Sequence, residues 1–154
     1  NQYLSVVLML IYTGVRIGEL LDLEKKDIHL DERWFYVKES KTDAGIREVP
    51  IAEKVVPFFE YWMQKDCDHL ICTPDEEPFL YRNYYDSYWT PLMQQMNMKH
   101  RPHDTRHTCV SLLTEAKVDE RIIKKIVGHK GQGVTQIVYT HVDLPYKLEA
   151  INLI

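Results

Sequence analysis

The sequence predicts a mainly α-helical protein of the α+β class with one small antiparallel β-sheet. Apolar residues recur at helical spacing in both halves of the chain. Between residues 28 and 51, by contrast, three short segments are rich in β-branched and aromatic residues, which is typical of strands. With 154 residues and a hydrophobic share of 45%, the chain is long enough to bury the core of one domain.

Two helices are expected before the sheet. The first has apolar residues at i, i+3, i+4 and i+7, namely Leu4, Val7, Leu8 and Ile11. Thr13-Gly14 interrupts this pattern, and a second helix is predicted over residues 15–23 with Leu20 and Leu23 facing inward.

The three predicted strands cover residues 28–30, 34–37 and 46–51. Asp43-Ala44-Gly45 supplies turn residues between the last two strands, so these should form a hairpin. Lys41 would then lie beside the hairpin tip, where it could reach a ligand over the sheet edge.

The second half of the chain is predicted to be helical after an irregular segment over residues 65–83. Val55, Phe59 and Trp62 mark a helix before that segment. Further helices are expected at residues 84–96, 105–116 and 119–127, around 136–139, and in a tail with the apolar residues Leu144, Leu148 and Ile151. Asp119 is a candidate N-cap, and Gly128 is the residue type favoured just past a helix end.

The overall charge gives no indication of a nucleic-acid partner. The formal net charge is −4 and the isoelectric point is near 6.0. Basic residues are nevertheless concentrated between Lys99 and Lys130, together with four histidines, whereas acidic residues cluster at 22–32 and 66–77. One basic face therefore remains compatible with DNA binding.

Other sequence features narrow the class of protein. No apolar run approaches the roughly 20 residues that cross a bilayer. Three cysteines without a paired metal-site spacing fit a reducing cytosol. The opening Asn1-Gln2-Tyr3 has no features of a signal peptide, and we expect it to lie inside a longer protein.

Two segments carry arginines suited to binding one anion. In the first, Arg16 follows a glycine break at a helix start, and Glu19 shares its face and could hold a cationic partner. In the second, His103 and Arg106 lie three residues apart at another helix start. Two arginines from separate elements can clamp the oxygens of one phosphate, as phosphoryl transfer requires. Taken alone, the Arg16/Glu19 pair is more typical of a surface salt bridge.

Three further residues complete the set. Lys41 lies near the hairpin tip, where a lysine is usually just solvated. His129 directly follows a helix end, and Tyr139 comes ten residues later. A tyrosine hydroxyl has a pKa near ~10, so it needs neighbouring cations or a base to act as a nucleophile. We expect His107, by contrast, to be a packed and hydrogen-bonded core histidine.

These motifs together resemble the catalytic domain of the tyrosine recombinases, the phage integrase family, and are most similar to integrases of phages and conjugative transposons. The resemblance covers essentially the whole chain. Its motifs occur in family order, and they are TGVRIGELLDL, ESKTDAGIREVPI with Lys41, HDTRHT, VGHK and QIVYTHV. Thr105 stands where the family often has leucine.

The resemblance implies a role for each matching residue in site-specific DNA recombination, the integration or excision of a mobile element. Tyr139 would be the nucleophile that forms a 3′-phosphotyrosyl linkage, and Lys41 the general acid for the departing 5′ oxygen. The other roles are transition-state stabilisation by Arg16 and Arg106, proton transfer by His103, phosphate hydrogen bonding by His129, and support of the pocket by Glu19. The chemistry implied needs no metal, nucleotide or other cofactor.

The resemblance also implies partners and a domain organisation. Double-stranded DNA is the expected substrate, bound by a homotetramer of the full-length protein, whereas the isolated domain could be monomeric. We expect residues 1–154 to be a single catalytic domain, the C-terminal part of a longer integrase whose core-binding and arm-binding domains are absent here. The tail, residues 144–154, is expected to dock on a neighbouring protomer. The expected location is the cytoplasm of a bacterium or phage-infected host, in association with the nucleoid, with no membrane partner.

Two other interpretations remain open at this point. His103 and His107 are spaced i, i+4, like two ligands of an HExxH zinc site, which would suit a metal-dependent hydrolase. However, Asp104 stands where that motif has its glutamate, and no third ligand is evident. A catalytically inactive DNA-binding relative is the other alternative, although the set of six residues is complete.

Overall fold

The computed structural model describes residues 1–38, 45–129 and 141–154. Within these ranges the protein is mostly helical, with one three-stranded antiparallel sheet, as the sequence predicted. The predicted turn at 43–44 and the short helix around 136–139 lie outside the described residues. So do Lys41 and Tyr139.

Glycine and a capping interaction define the two N-terminal helices. Helix α1 spans Tyr3–Thr13 and ends at Gly14, whose φ of 71° reverses the chain direction. Helix α2 spans Ile17–Leu21, which is shorter than the predicted 15–23. It begins later because Arg16 has an extended backbone, and the Arg16 N–H donates to the Glu19 side chain at 2.8 Å instead.

The sheet contains β1 (Ile28–His29), β2 (Trp34–Val37) and β3 (Arg47–Pro50) in that spatial order. Neighbouring strands are antiparallel, and Phe35 pairs with Ile28 on one side and Val49 on the other. All four residues of β3 are buried, since helices from the C-terminal half pack against this strand.

The remaining helices follow the predicted order, but the helix predicted at 84–96 begins at Tyr81, inside the segment predicted to be irregular, and is divided in two. They are α3 (Val56–Met63), α4 (Tyr81–Tyr84), α5 (Thr90–Gln95), α6 (Asp104–Glu115), α7 (Glu120–Val127) and α8 (Leu144–Ile151). A π-helical segment, Tyr85–Trp89, joins α4 to α5. Helix α7 has both predicted ends, because the Asp119 side chain accepts from the Arg121 N–H and Gly128 adopts a φ of 80°.

The core lies where α1 packs on α6 and where Phe59 of α3 meets Phe35 of β2. Val6, Met9 and Leu10 of α1 are fully buried, as are Phe59 and Trp62 of α3. No helix in the described ranges is both long enough and apolar enough to cross a bilayer.

The tail helix α8 packs on β3 and α7 of its own chain in this monomer. Its buried Lys147 donates from Nζ to the Glu48 carbonyl at 2.7 Å, and Asn152 Oδ1 accepts from the Glu53 N–H at 2.8 Å. The docking of residues 144–154 on a neighbouring protomer stays a prediction.

Candidate active site

Arg106 joins the C-terminal ends of helices α1 and α7. It lies in the first turns of α6, is 1% exposed, and donates from Nη1 to the carbonyls of Gly14, at 3.0 Å, and Val127. Gly14 is two residues before Arg16, and Val127 is two residues before His129. The arginine side chain therefore holds together the three segments that carry Arg16, His103 and His129.

Glu19 has the cationic partner that its position suggested, and that partner is Arg47 of β3. The two terminal nitrogens of Arg47 lie 3.1 Å from the two carboxylate oxygens of Glu19. Glu19 also accepts from the backbone N–H of Arg16 and lies 3.7 Å from its guanidinium. Burial alone would raise the pKa of Glu19, but the hydrogen bonds and charge of Arg47 outweigh it and hold that pKa below its usual range.

Arg47 is not among the site residues predicted from the sequence. A signal was present, since Arg47 and Glu48 are the two charged residues of the predicted strand at 46–51, whose other residues are apolar, and Glu19 had no assigned partner beyond Arg16. Pairing the two required the spatial approach of β3 to the start of α2, which spacing along the chain does not reveal.

Several buried guanidinium donors have no acceptor among the described residues. These are Nη1 of Arg16 and both Nε and Nη2 of Arg106. Burial, and then the charge of Arg16, lower the pKa of Arg106 to about 10. Leaving buried charged donors unpaired is costly, so this arrangement favours binding of an anion that supplies the missing acceptors.

The two predicted histidines belong to the same cationic cluster. His103 and His129 are both exposed, and partial desolvation is the main cause of a lowered pKa in each. The positive charges of Arg106 and Arg16 lower both values further. Both imidazoles are therefore mostly neutral at pH 7, and an anion bound between the arginines would favour their protonation.

His107 is not the core histidine that we expected. It is exposed, and its ring meets that of His103 edge-on at 4.9 Å between centroids. The expectation was wrong because Thr105, Arg106 and Cys109 occupy the inward face of α6, which turns His107 towards the solvent.

An open cleft of about 1080 Å³ lies beside this cluster. Its lining includes Arg16, Glu19, Lys38, His103 and His107. Its volume is close to the upper end of the range of about 300–1,000 Å³ that is typical of ligand sites.

The predicted alternative of a zinc site has little support from the donor set. Asp104 already accepts hydrogen bonds from the Arg101 N–H at 2.9 Å and the His100 ring at 3.3 Å, which fixes the start of α6. Within residues 1–38, 45–129 and 141–154, no group of three or more histidine, cysteine or acidic side chains is placed to hold a metal ion.

Comparison with known proteins identifies the family. The model of the phage integrase family matches residues 2–144. This chain belongs to that family. Among its relatives, the tyrosine recombinase XerA of Pyrococcus furiosus is 26% identical over 159 aligned positions, which cover 96% of this chain and 52% of that protein. The chain thus spans about half the length of the curated relatives it matches.

Solved integrase structures share the fold. The Tn1549 transposon integrase in complex with transposon right end DNA superimposes with a TM-score of 0.70 at 23% identity, covering 84% of this chain and 51% of that one. A lambda integrase tetramer bound to a Holliday junction superimposes with a TM-score of 0.66 at 19% identity, covering 89% of this chain and 43% of that one. The predicted fold class, a mainly α tyrosine recombinase catalytic domain with a small sheet, is confirmed.

Proposed function

We propose that this chain is the catalytic domain of a site-specific DNA recombinase of the tyrosine type, which cuts and rejoins strands through a 3′-phosphotyrosyl intermediate. The observation that carries the proposal is the set of buried guanidinium donors on Arg16 and Arg106 that have no hydrogen-bond acceptor within residues 1–38, 45–129 and 141–154, next to His103 and His129. A phosphodiester supplies the negative oxygens that these donors lack.

In the proposed reaction, Arg16 and Arg106 bind the non-bridging oxygens of the scissile phosphate and stabilise the extra charge of the pentacoordinate transition state. The Tyr139 oxygen forms a bond to phosphorus and gives its proton to His103. The bond from phosphorus to the 5′ oxygen breaks, and Lys41 protonates that oxygen. His129 donates a hydrogen bond to the phosphate.

The second half of the reaction repeats these steps in reverse. A 5′ hydroxyl from another strand attacks the phosphotyrosyl ester and releases Tyr139. Because the ester conserves the energy of the broken bond, strand exchange needs no nucleotide hydrolysis. None of the proposed roles requires a metal ion, since the arginines provide the positive charge.

The proposed partner is double-stranded DNA, and the complex of the Tn1549 integrase with transposon right end DNA supports DNA as the partner. We further propose that the full-length protein acts as a homotetramer in the cytoplasm, in keeping with the lambda integrase tetramer. Residues 1–154 would then be the catalytic domain of a longer integrase, and the tail at 144–154 would dock on the neighbouring protomer.

The test is incubation of the protein with a nicked duplex that carries the ends of the mobile element. When cleavage occurs next to the nick, a short fragment diffuses away and the covalent protein–DNA complex accumulates. We expect a band of reduced mobility on a denaturing gel, formed equally well in the presence of a chelator.

Matched variants assign the nucleophile. Tyr139→Phe should abolish the covalent band and leave DNA binding nearly intact, whereas Tyr61→Phe, at an exposed tyrosine of α3 outside the cleft, should behave as wild type. A covalent band with Tyr139→Phe would refute the assignment. DNA binding by the wild type without any covalent product would favour the inactive relative, and chelator-sensitive hydrolysis would favour the metal-dependent enzyme.

A further inference from the structure

We propose that Arg47 is a positioning residue of the recombination site, which orients Arg16 through Glu19. The inference rests on the proposed function and extends it to Arg47, whose own donors are not among those that lack an acceptor. Arg47 does not reach the cleft itself, since its side chain is only 4% exposed and is enclosed by protein.

The ion pair between Arg47 and Glu19 is bidentate. Each carboxylate oxygen faces one terminal nitrogen at 3.1 Å, and the pair is shielded from water because the Glu19 side chain is 7% exposed. A planar guanidinium fixes both the position and the plane of a carboxylate, which a lysine ammonium cannot do.

Glu19 transmits this orientation to Arg16. Its Oε1 accepts from the Arg16 backbone N–H at 2.8 Å, and its Oε2 lies 3.7 Å from Arg16 Nη1. That same nitrogen is one of the buried donors without a hydrogen-bond partner among the described residues. Rotation of the Glu19 carboxylate would therefore move both the backbone and the guanidinium of Arg16.

Arg47 also ties this pair to the other side of the site. Its Nε donates to the Ile126 carbonyl at 2.8 Å, and its Nη1 donates to the Gly45 carbonyl. Ile126 lies in the last turn of α7, next to Val127, whose carbonyl holds Arg106. One side chain thus sets the spacing between the start of α2 and the end of α7, on which both anion-binding arginines depend.

The test compares Arg47→Lys, Glu19→Gln and the double variant on the nicked duplex described above. We measure the single-turnover rate of covalent complex formation at saturating DNA, together with DNA affinity and the thermal midpoint. Arg47→Lys should slow cleavage by about 10- to 100-fold at full DNA occupancy, because misplacing a catalytic group by about 1 Å can cost about 100-fold. Arg33→Lys, which alters another arginine–glutamate pair directly before β2 and outside the cleft lining, is the matched control and should cleave at the wild-type rate.

The double variant separates positioning from general destabilisation. If Arg47 acts through Glu19, Arg47→Lys combined with Glu19→Gln should be no slower than the slower single variant, because both changes break the same link. The inference would be overturned if the double variant were slower than either single variant by the product of their separate effects. It would also be overturned if Arg47→Lys cleaved at the wild-type rate, or if its slower cleavage returned to the wild-type rate on cooling.

Two further outcomes have distinct meanings. Should Arg47→Lys fail to fold, Glu19→Gln keeps the side-chain shape and carries the test, with wild-type cleavage refuting the proposal. A wild-type protein that forms no covalent complex would refute the proposed function, whereas a wild-type protein that cleaves alongside unimpaired variants would refute only the role of Arg47.

Discussion

Two buried arginines at the same end of the molecule have opposite surroundings. Arg47 is 3% exposed and directs its nitrogens at a carboxylate and two carbonyls. Arg106 is 1% exposed, yet only its Nη1 has acceptors, while Nε and Nη2 have none among the described residues. Burial is the same in both, and the number of satisfied donors differs.

The difference separates a cation that the fold uses internally from one that it keeps ready for a ligand. A buried ion pair is sensitive to the loss of either partner, since the remaining charge is then unpaired. A buried cation without a counter-ion lowers the stability of the fold until an anion binds. The attraction between the cation and the bound anion is then strong, because little water is present to screen it. Replacing each arginine with methionine tests this contrast directly.

The largest expected effect is on cleavage by Arg106→Met. We expect the single-turnover rate on nicked DNA to fall by about 10³-fold, because the phosphate loses preorganised donors. The free energy of unfolding should change by less than ~1 kcal/mol, since losing two hydrogen bonds to carbonyls is offset by removing an unpaired buried charge. Chemical denaturation gives this second number, and a large loss of stability would show that Arg106 is mainly structural.

Arg47→Met, unlike Arg106→Met, should greatly reduce the stability of the fold. We expect the free energy of unfolding to fall by about 3–5 kcal/mol, because Glu19 is left buried without its cation. Changing Glu19 to methionine in the same chain should recover much of the loss. Urea denaturation of the single and double variants measures both values, and a loss below ~1 kcal/mol for Arg47→Met would contradict the assigned pairing.

Gly14 provides a backbone contact to one of these arginines, because its carbonyl accepts a hydrogen bond from Arg106. In Gly14→Ala, the new Cβ would lie 2.7 Å from a Val127 methyl group at a φ of +71°, so we expect a loss of about 2 kcal/mol or more. Gly18→Ala is the matched control, since nothing lies within 4 Å of its Cβ and alanine favours helix by about 0.5–1 kcal/mol. Equal thermal midpoints for the two variants would show that the tight approach of Gly14 to α7 is absent in solution.

The smallest expected effect is stabilisation by a simple anion. Sulfate at about tenfold its Kd should add about 1.4 kcal/mol to the free energy of unfolding of the wild type, and nothing to Arg106→Met. Sodium chloride at matched ionic strength is the control for screening. Equal stabilisation of both proteins would argue against a site between the arginines.

The pH dependence of this effect has a definite sign. The folded protein lowers the pKa of His103 and His129, so without sulfate these groups reduce stability as the pH falls through the ordinary histidine value of about 6.5. A bound anion raises both pKa values again, so sulfate binding takes up protons and should strengthen as the pH falls. Calorimetry in buffers of different ionisation enthalpy measures the uptake, and proton release would contradict this account.

Local patterns in the sequence were sufficient to predict most of the fold. Helix α7 shows why, since the Asp119 cap, its apolar face and Gly128 all favour the same boundaries. Helix α2 was predicted too long because a side chain, Glu19, takes over the first backbone donor. The exposure of His107 and the partner of Glu19 depend on packing between distant elements, which helical spacing alone does not specify.

The sequence of β3 affects the register in which this strand pairs with β2. Arg47 and Glu48 are neighbours on this strand, and their side chains point to opposite faces, one towards Glu19 and the other towards His141. A slip of one residue against β2 would exchange the two faces and bring the Glu48 carboxylate up against that of Glu19. Repulsion between like charges in the interior would then raise the free energy of the misaligned chain, so we expect this adjacent pair of opposite charges to favour the observed register.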